Sequence, residues 1–323
     1  MDIKTYLFYP LSIILTSWAI YQVFLLKSHV DFIKNEAPEC TQSNPNKLEL
    51  MGGMVFLQVC LQYPVQSIAK SMFLKSLPQN KFPLGSKLRL EKAEMVAERI
   101  YKFFIQSVST VGMFFILKQG NFLHSLLLGN QENPQYFVNY PCVKVPKHLD
   151  DVYVLKLTYH LYELFNTLIF LRDRRDFPEY VLHHIITLVL VLFSYSINIL
   201  TIGSVIMFLT DFTDCFVSLF KITADVMSNK IQYTVAVVMV VVWIYLRVWF
   251  FPIHLMWEWF KQSTSPNHYV LESYCIFLFT FLGGLFVLHI FWLFLMFKGI
   301  VNRVFRRDSN QLLLESHKKE KCT

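Results

Sequence analysis

The chain has 323 residues, 54% of them hydrophobic and only 16% charged, with a mean hydropathy of +0.40 and a formal net charge of +7. Soluble globular proteins carry about a quarter charged residues, so this composition excludes that class and describes a polytopic membrane protein. The basic residues sit between apolar runs and no nucleic-acid-binding motif accompanies them, so the charge reads as loop bias at a membrane, not as a nucleic-acid surface.

Apolar runs of roughly 20 residues cross a bilayer as helices. Such runs predict about eight spans in one all-α bundle, at 6–26, 50–74, 101–117, 152–171, 180–200, 203–220, 233–257 and 274–297. The first run is too long for a signal peptide and lacks a clean small-residue cleavage site, so it reads as a retained anchor. The second holds Gln58, Gln62 and Pro64 and is the weakest of the eight, interfacial or kinked. Lys75, Lys81, Lys87, Arg89 and Lys92 follow the second span; Arg172, Arg174 and Arg175 follow the fourth; Lys221 and Lys230 follow the sixth. Together with a basic tail, this alternation predicts cytosolic even loops and cytosolic termini. Cys40 and Cys142 fall in loops on the other, lumenal side, where a disulfide is chemically allowed. No cysteine spacing of the zinc-binding kind is present.

Ionisable side chains inside spans are costly to bury and mark functional sites. The fifth span opens with His183 and His184, and Thr187 lies one turn further on. Asp211 and Asp214 share a face of the sixth span, Arg247 lies in the seventh, His289 in the eighth, and His160 and Glu163 share a face of the fourth. At about 1.5 Å per residue, Asp211 and Arg247 fall in the lumenal half, Asp214 near the middle and the His pair nearer the cytosol. That order predicts a polar column open to the cytosol. One His-His pair without an HxxxH box is short of the ligands of a di-iron centre, so no metal is expected. An imidazole oriented by a carboxylate can instead act as base or nucleophile in acyl transfer.

Over about fifty residues the pattern Arg175-Asp176-Phe177, Pro178-Glu179, His183-His184, Thr187, Ser194, Asn198, Gly203, Asp211, Asp214 and Lys221 resembles the Lag1 motif of the ceramide synthases within the TLC family. Thr210 stands where family members often have His. The likeness extends from about Lys92 to Arg307 and divides the chain into an N-terminal two-helix membrane region (1–91), a six-span TLC domain (92–307) and a charged cytosolic tail (308–323). It implies transfer of a fatty acyl group from acyl-CoA to the amine of a sphingoid base, with no cofactor beyond these substrates. His183 is then the attacking or deprotonating group and His184 its partner. Asp211 and Asp214 polarise the imidazoles and hold the substrate ammonium, while Thr187, Asn198, Arg247 and Lys221 support them. Acyl-length preference would map to the last lumenal loop, 262–272. The competing reading is a non-enzymatic TLC-type protein, translocon-associated or lipid-sensing. Membrane lipids are partners in either case, and homo- or hetero-oligomers remain open. The ending "KKEKCT" puts Lys319 and Lys321 in a KxKxx dilysine pattern, which predicts return to the endoplasmic reticulum membrane.

Overall fold

The computed structural model describes residues 3–38, 40, 45–170, 172, 176–224, 226–263 and 272–320. Among them there is no β-strand, and the chain is an all-α transmembrane bundle. The helices in order are α1 (Ile3–Glu36), α2 (Met51–Ser76), α3 (Lys87–Gln119), α4 (Leu149–Phe170), α5 (Phe177–Ser196) and α6 (Leu200–Thr223). After these, α7 (Asn229–Trp243) runs without a break through a π-helical segment (Ile244–Met256) into α8 (Trp257–Ser263), and α9 (Glu272–Glu320) ends the bundle.

Six segments are long and apolar enough to cross a membrane: Leu7–Glu36, Lys87–Gln119, Phe177–Ser196, Leu200–Thr223, Asn229–Lys261 and Tyr274–Asn302. Helices α2 and α4 complete the expected eight but are more polar. Gln58, Gln62 and Gln66 lie along α2, and α4 buries Lys156 and Glu163 against its neighbours. Pro64 is accommodated within α2.

Helix α3 starts at Lys87, well before the predicted Tyr101, because its charged first half is amphipathic. Ser86 caps it by accepting from the Arg89 amide, the usual way to satisfy an orphan N–H. Arg89 then turns back. Its guanidinium donates to the Leu74 carbonyl at 2.8 Å and the Phe82 carbonyl at 2.6 Å, fastening the α2–α3 turn. Pro178 opens α5, where its missing N–H costs nothing.

Helices α3 and α6 pack along their lengths, α4 lies on α5 and α2, and α1 and α9 close over α5. Gly203 permits one close approach, since a Cβ there would stand 1.9 Å from the Tyr153 hydroxyl. At the same end Cys40 and Cys142 are disulfide-bonded. Lys47 bridges Asp150 and Asp151 in the first turn of α4, at 2.5 Å to each, and these hydrogen bonds hold its ammonium above its ordinary pKa. Asn198 adopts a φ of 60° between α5 and α6, tolerable for Asn. Its amide donates to the Pro141 carbonyl at 2.5 Å, while Tyr140 and Thr201 donate to the Ile197 and Tyr136 carbonyls.

Gly203→Ala should lower stability by about 1–3 kcal/mol through overpacking. Thermal unfolding in detergent reads this, and Tyr153→Phe in the same chain should restore part of the loss.

Candidate functional site

A cavity of about 570 Å³ runs through the bundle between α3, α4, α5, α6, α7 and α9. Its wall on α5 is the stripe Tyr180, His183, His184, Thr187, Leu190, Val191 and Ser194, the three- and four-residue spacing of one helix face. The α6 wall repeats the spacing with Ile202, Ile206, Thr210, Asp211, Asp214 and Lys221. Two residues set the polarity of each level, so the cavity is polar toward the α4–α5 loop and apolar toward the disulfide end, where Leu278, Leu282 and Trp259 line it.

The most polar tier joins three helices. Lys102 of α3 donates to Glu163 of α4 at 2.8 Å and to the Tyr180 hydroxyl of α5 at 3.0 Å, and lies 3.1 Å from Glu98. Lys102 and Glu163 are both fully buried. Next come the histidines. The His184 ring is buried and meets the Tyr180 ring edge-on at 4.5 Å, with His160 at 6.1 Å and His183 at 5.3 Å. His183 is only half-buried and faces the cavity. Its Nδ1 is 3.5 Å from the Thr187 hydroxyl, and its ring packs edge-on against Trp292 at 5.1 Å.

The aspartates form the third tier and divide there. Asp214 takes a hydrogen bond from Arg247 at 2.5 Å, and the guanidinium also donates to Thr213 at 2.5 Å and to the Thr210 carbonyl at 2.7 Å. Arg247 lies over the Trp243 ring at 4.1 Å, a cation–π contact. Asp211 pairs instead with Lys156 of α4 and accepts from Ser109 of α3 at 2.6 Å. The Asp214 side chain keeps 32% of its surface open, toward the cavity, whereas Asp211 keeps 8%. Lone buried charges cost several kcal/mol each. Two cations against two carboxylates leave this tier neutral.

The structure therefore gathers His183, His184, Thr187, Asp211, Asp214, Arg247 and Lys221 around one cavity. It does not bring Asn198 there: that residue holds the turn at the disulfide end. The expectation that Arg247 balances both carboxylates is corrected, because Lys156 takes Asp211. Lys156 was missed although a signal exists. With His160 and Glu163 it continues one stripe of α4 at i, i+4 and i+7. Arg175, Lys321 and most of the loop 262–272 lie outside the described residues, while Lys319 falls in the last turn of α9. Among the described residues no three His, Cys, Asp or Glu side chains are placed to hold a metal ion.

Fold and site together describe a multi-pass membrane protein with a charge-paired histidine cavity. The sequence profile of the TLC domain matches residues 95–298, and the chain belongs to the TLC domain family. It is similar to Ceramide synthase 4 of Bos taurus, 31% identical over 182 residues (54% of this chain, 46% of the relative). It is also similar to Ceramide synthase LOH1 of Arabidopsis thaliana, 30% identical over 160 residues (47% and 51%). Ceramide synthase LAG1 of Saccharomyces cerevisiae is 27% identical over 169 residues (47% and 41%). The chain spans about half the length of the curated relatives it matches.

Breaking a buried ion pair from one side is strongly destabilising. Arg247→Leu should cost about 3 kcal/mol in thermal unfolding, and Arg247→Leu with Asp214→Leu should recover most of it. Full stability of the single variant would show the pair to be idle.

Proposed function

We propose that the chain is a ceramide synthase, moving a fatty acyl group from acyl-CoA to the amine of a sphingoid base to give ceramide or dihydroceramide and free CoA. One observation carries this reading: a half-open imidazole, His183, stands where the polar part of a long cavity passes into its apolar part. A thioester can reach that ring from the polar end while its hydrocarbon tail lies among Leu190, Val191, Ile202, Leu278 and Leu282. The run from His183 to Ser194 on α5 gives that tail roughly 16 Å. The relatives with ceramide synthase names support the same chemistry.

The reaction proceeds in two steps. An imidazole nitrogen of His183 attacks the thioester carbonyl; the C–S bond breaks, an acyl-imidazole forms, and CoA leaves as the thiol. The sphingoid amine then attacks the acyl-imidazole, the amide forms, and the imidazole is restored with loss of the amine proton. Asp214, the more open carboxylate, faces the incoming ammonium, and Arg247 keeps it ionised and oriented. His184 accepts the amine proton. Arg99, Lys102 and Lys221 at the polar mouth supply positive charge toward the CoA phosphates, which raises encounter with an anionic substrate.

The polar mouth faces the cytosol, where acyl-CoA is present, and the disulfide end faces the lumen. The Cys40–Cys142 bond supports that orientation, because such bonds persist in oxidising compartments. With cytosolic termini, the KxKxx tail is readable and the protein resides in the endoplasmic reticulum membrane.

His183→Ala should abolish acyl transfer, a loss of at least about 10³-fold for removal of a nucleophile, while the protein still accumulates. Incubation of wild-type protein with acyl-CoA alone should add one acyl mass, absent in His183→Ala; sequential kinetics without an adduct would make His183 a base. Protease added to sealed microsomes should remove the C-terminal tail, and Lys319→Ser with Lys321→Ser should let some protein reach the Golgi. A fully protected tail would reverse the orientation.

A further inference from the structure

Two carboxylates one helical turn apart, Asp211 and Asp214, line one wall of the cavity, yet they are held differently. Asp211 Oδ2 is taken twice, by the Lys156 ammonium and by the Ser109 hydroxyl. Lys156 lies behind the wall on α4, with 5% of its side chain exposed, and its ammonium sits 5.6 Å from the Tyr159 ring centre. Asp214 is held by Arg247 alone among these cations, and remains one-third open.

Without Lys156, two like charges on one face would compete for a single guanidinium in a low-dielectric interior. Arg247 would be drawn toward Asp211, or one carboxylate would take a proton. Either change displaces Asp214 from the geometry that its contacts with Arg247, Thr213 and the Thr210 carbonyl now fix. Resting on the acyltransferase reading above, we infer that Lys156 is a positioning residue of the reaction: it neutralises Asp211 behind the wall and thereby reserves Arg247 for Asp214, the carboxylate that meets substrate. Asp211 is then a counter-ion whose negative charge matters only because Lys156 is positive.

That last clause gives the test. Full-length protein in detergent or vesicles is assayed with one sphingoid base and one acyl-CoA, as wild type and as Lys156→Met, Asp211→Asn, Lys156→Arg and the pair Lys156→Met with Asp211→Asn. Asn keeps an acceptor for Ser109, and Met keeps the length of the Lys stem. Each neutral single variant should lose ~100-fold in kcat, the scale of a misplaced catalytic group, with KM for acyl-CoA unchanged because the polar mouth is untouched. The pair should return to within ~10-fold of wild type, since the coupled charges are removed together. Lys156→Arg should retain turnover. A pair as inactive as Asp211→Asn, at normal thermal midpoint, would overturn the inference and put the Asp211 carboxylate on the substrate. So would full activity of Lys156→Met, or a loss confined to KM. If Lys156→Met fails to accumulate, the pair and Lys156→Arg still decide the matter. A wild type inactive toward every acyl-CoA offered would defeat the acyltransferase reading itself, an outcome separate from those above.

Discussion

Charge neutrality inside an apolar bundle is the constraint on which the rest of this structure depends. A membrane interior offers no water to an ionised side chain, so each one needs a partner on a neighbouring helix. Lys102 with Glu163, Lys156 with Asp211, and Arg247 with Asp214 meet that need. They also join α3 to α4, α4 to α6, and α6 to the π segment. The pairs thus fix which helices are neighbours and which faces turn inward. The cavity is the space that these cross-links hold open, and the histidines occupy it because α5 is enclosed by the helices so tied.

Much of this was legible in the sequence. Hydropathy gave the number of helices, and the residues His183, His184, Asp211, Asp214 and Arg247 announced themselves as polar groups in apolar runs. What was lost had physical causes. The first half of α3 looked like a loop because its Lys, Arg and Glu residues outweigh its apolar stripe in any average, although Ala93, Val96 and Ala97 are buried. The Lys156–Asp211 pair joins residues far apart in the chain, and a partner across a helix interface leaves no local trace. Lys156 also stands close enough to the start of its run to pass for a boundary residue. Asn198 sat in the motif beside the site residues, but its role is backbone geometry: a left-handed turn that few other side chains tolerate.

The two ends of the cavity divide recognition between them. At the polar end every charged wall residue is held in a network, so the field there is set before a substrate arrives and no reorganisation accompanies its binding. At the apolar end the lining is Leu, Ile, Val and Trp, which discriminates by length and volume and not by hydrogen bonding. A reactive ring at the junction sees a head group ordered by electrostatics and a tail ordered by shape.

The π segment Ile244–Met256 carries a consequence for how this chain tolerates change in length. A π turn holds one residue more than an α turn, and the buried positions here, Arg247, Phe251 and Leu255, advance by four instead of by the alternating three and four of an α-helix. Removing one residue and letting the helix revert to α geometry would turn everything beyond it by about 100°. Trp259, now on the cavity wall, would swing toward lipid while Arg247 stayed in place. The segment therefore acts as a reading frame: substitutions within it are local, but a one-residue deletion uncouples the charged half of the cavity from its hydrocarbon half.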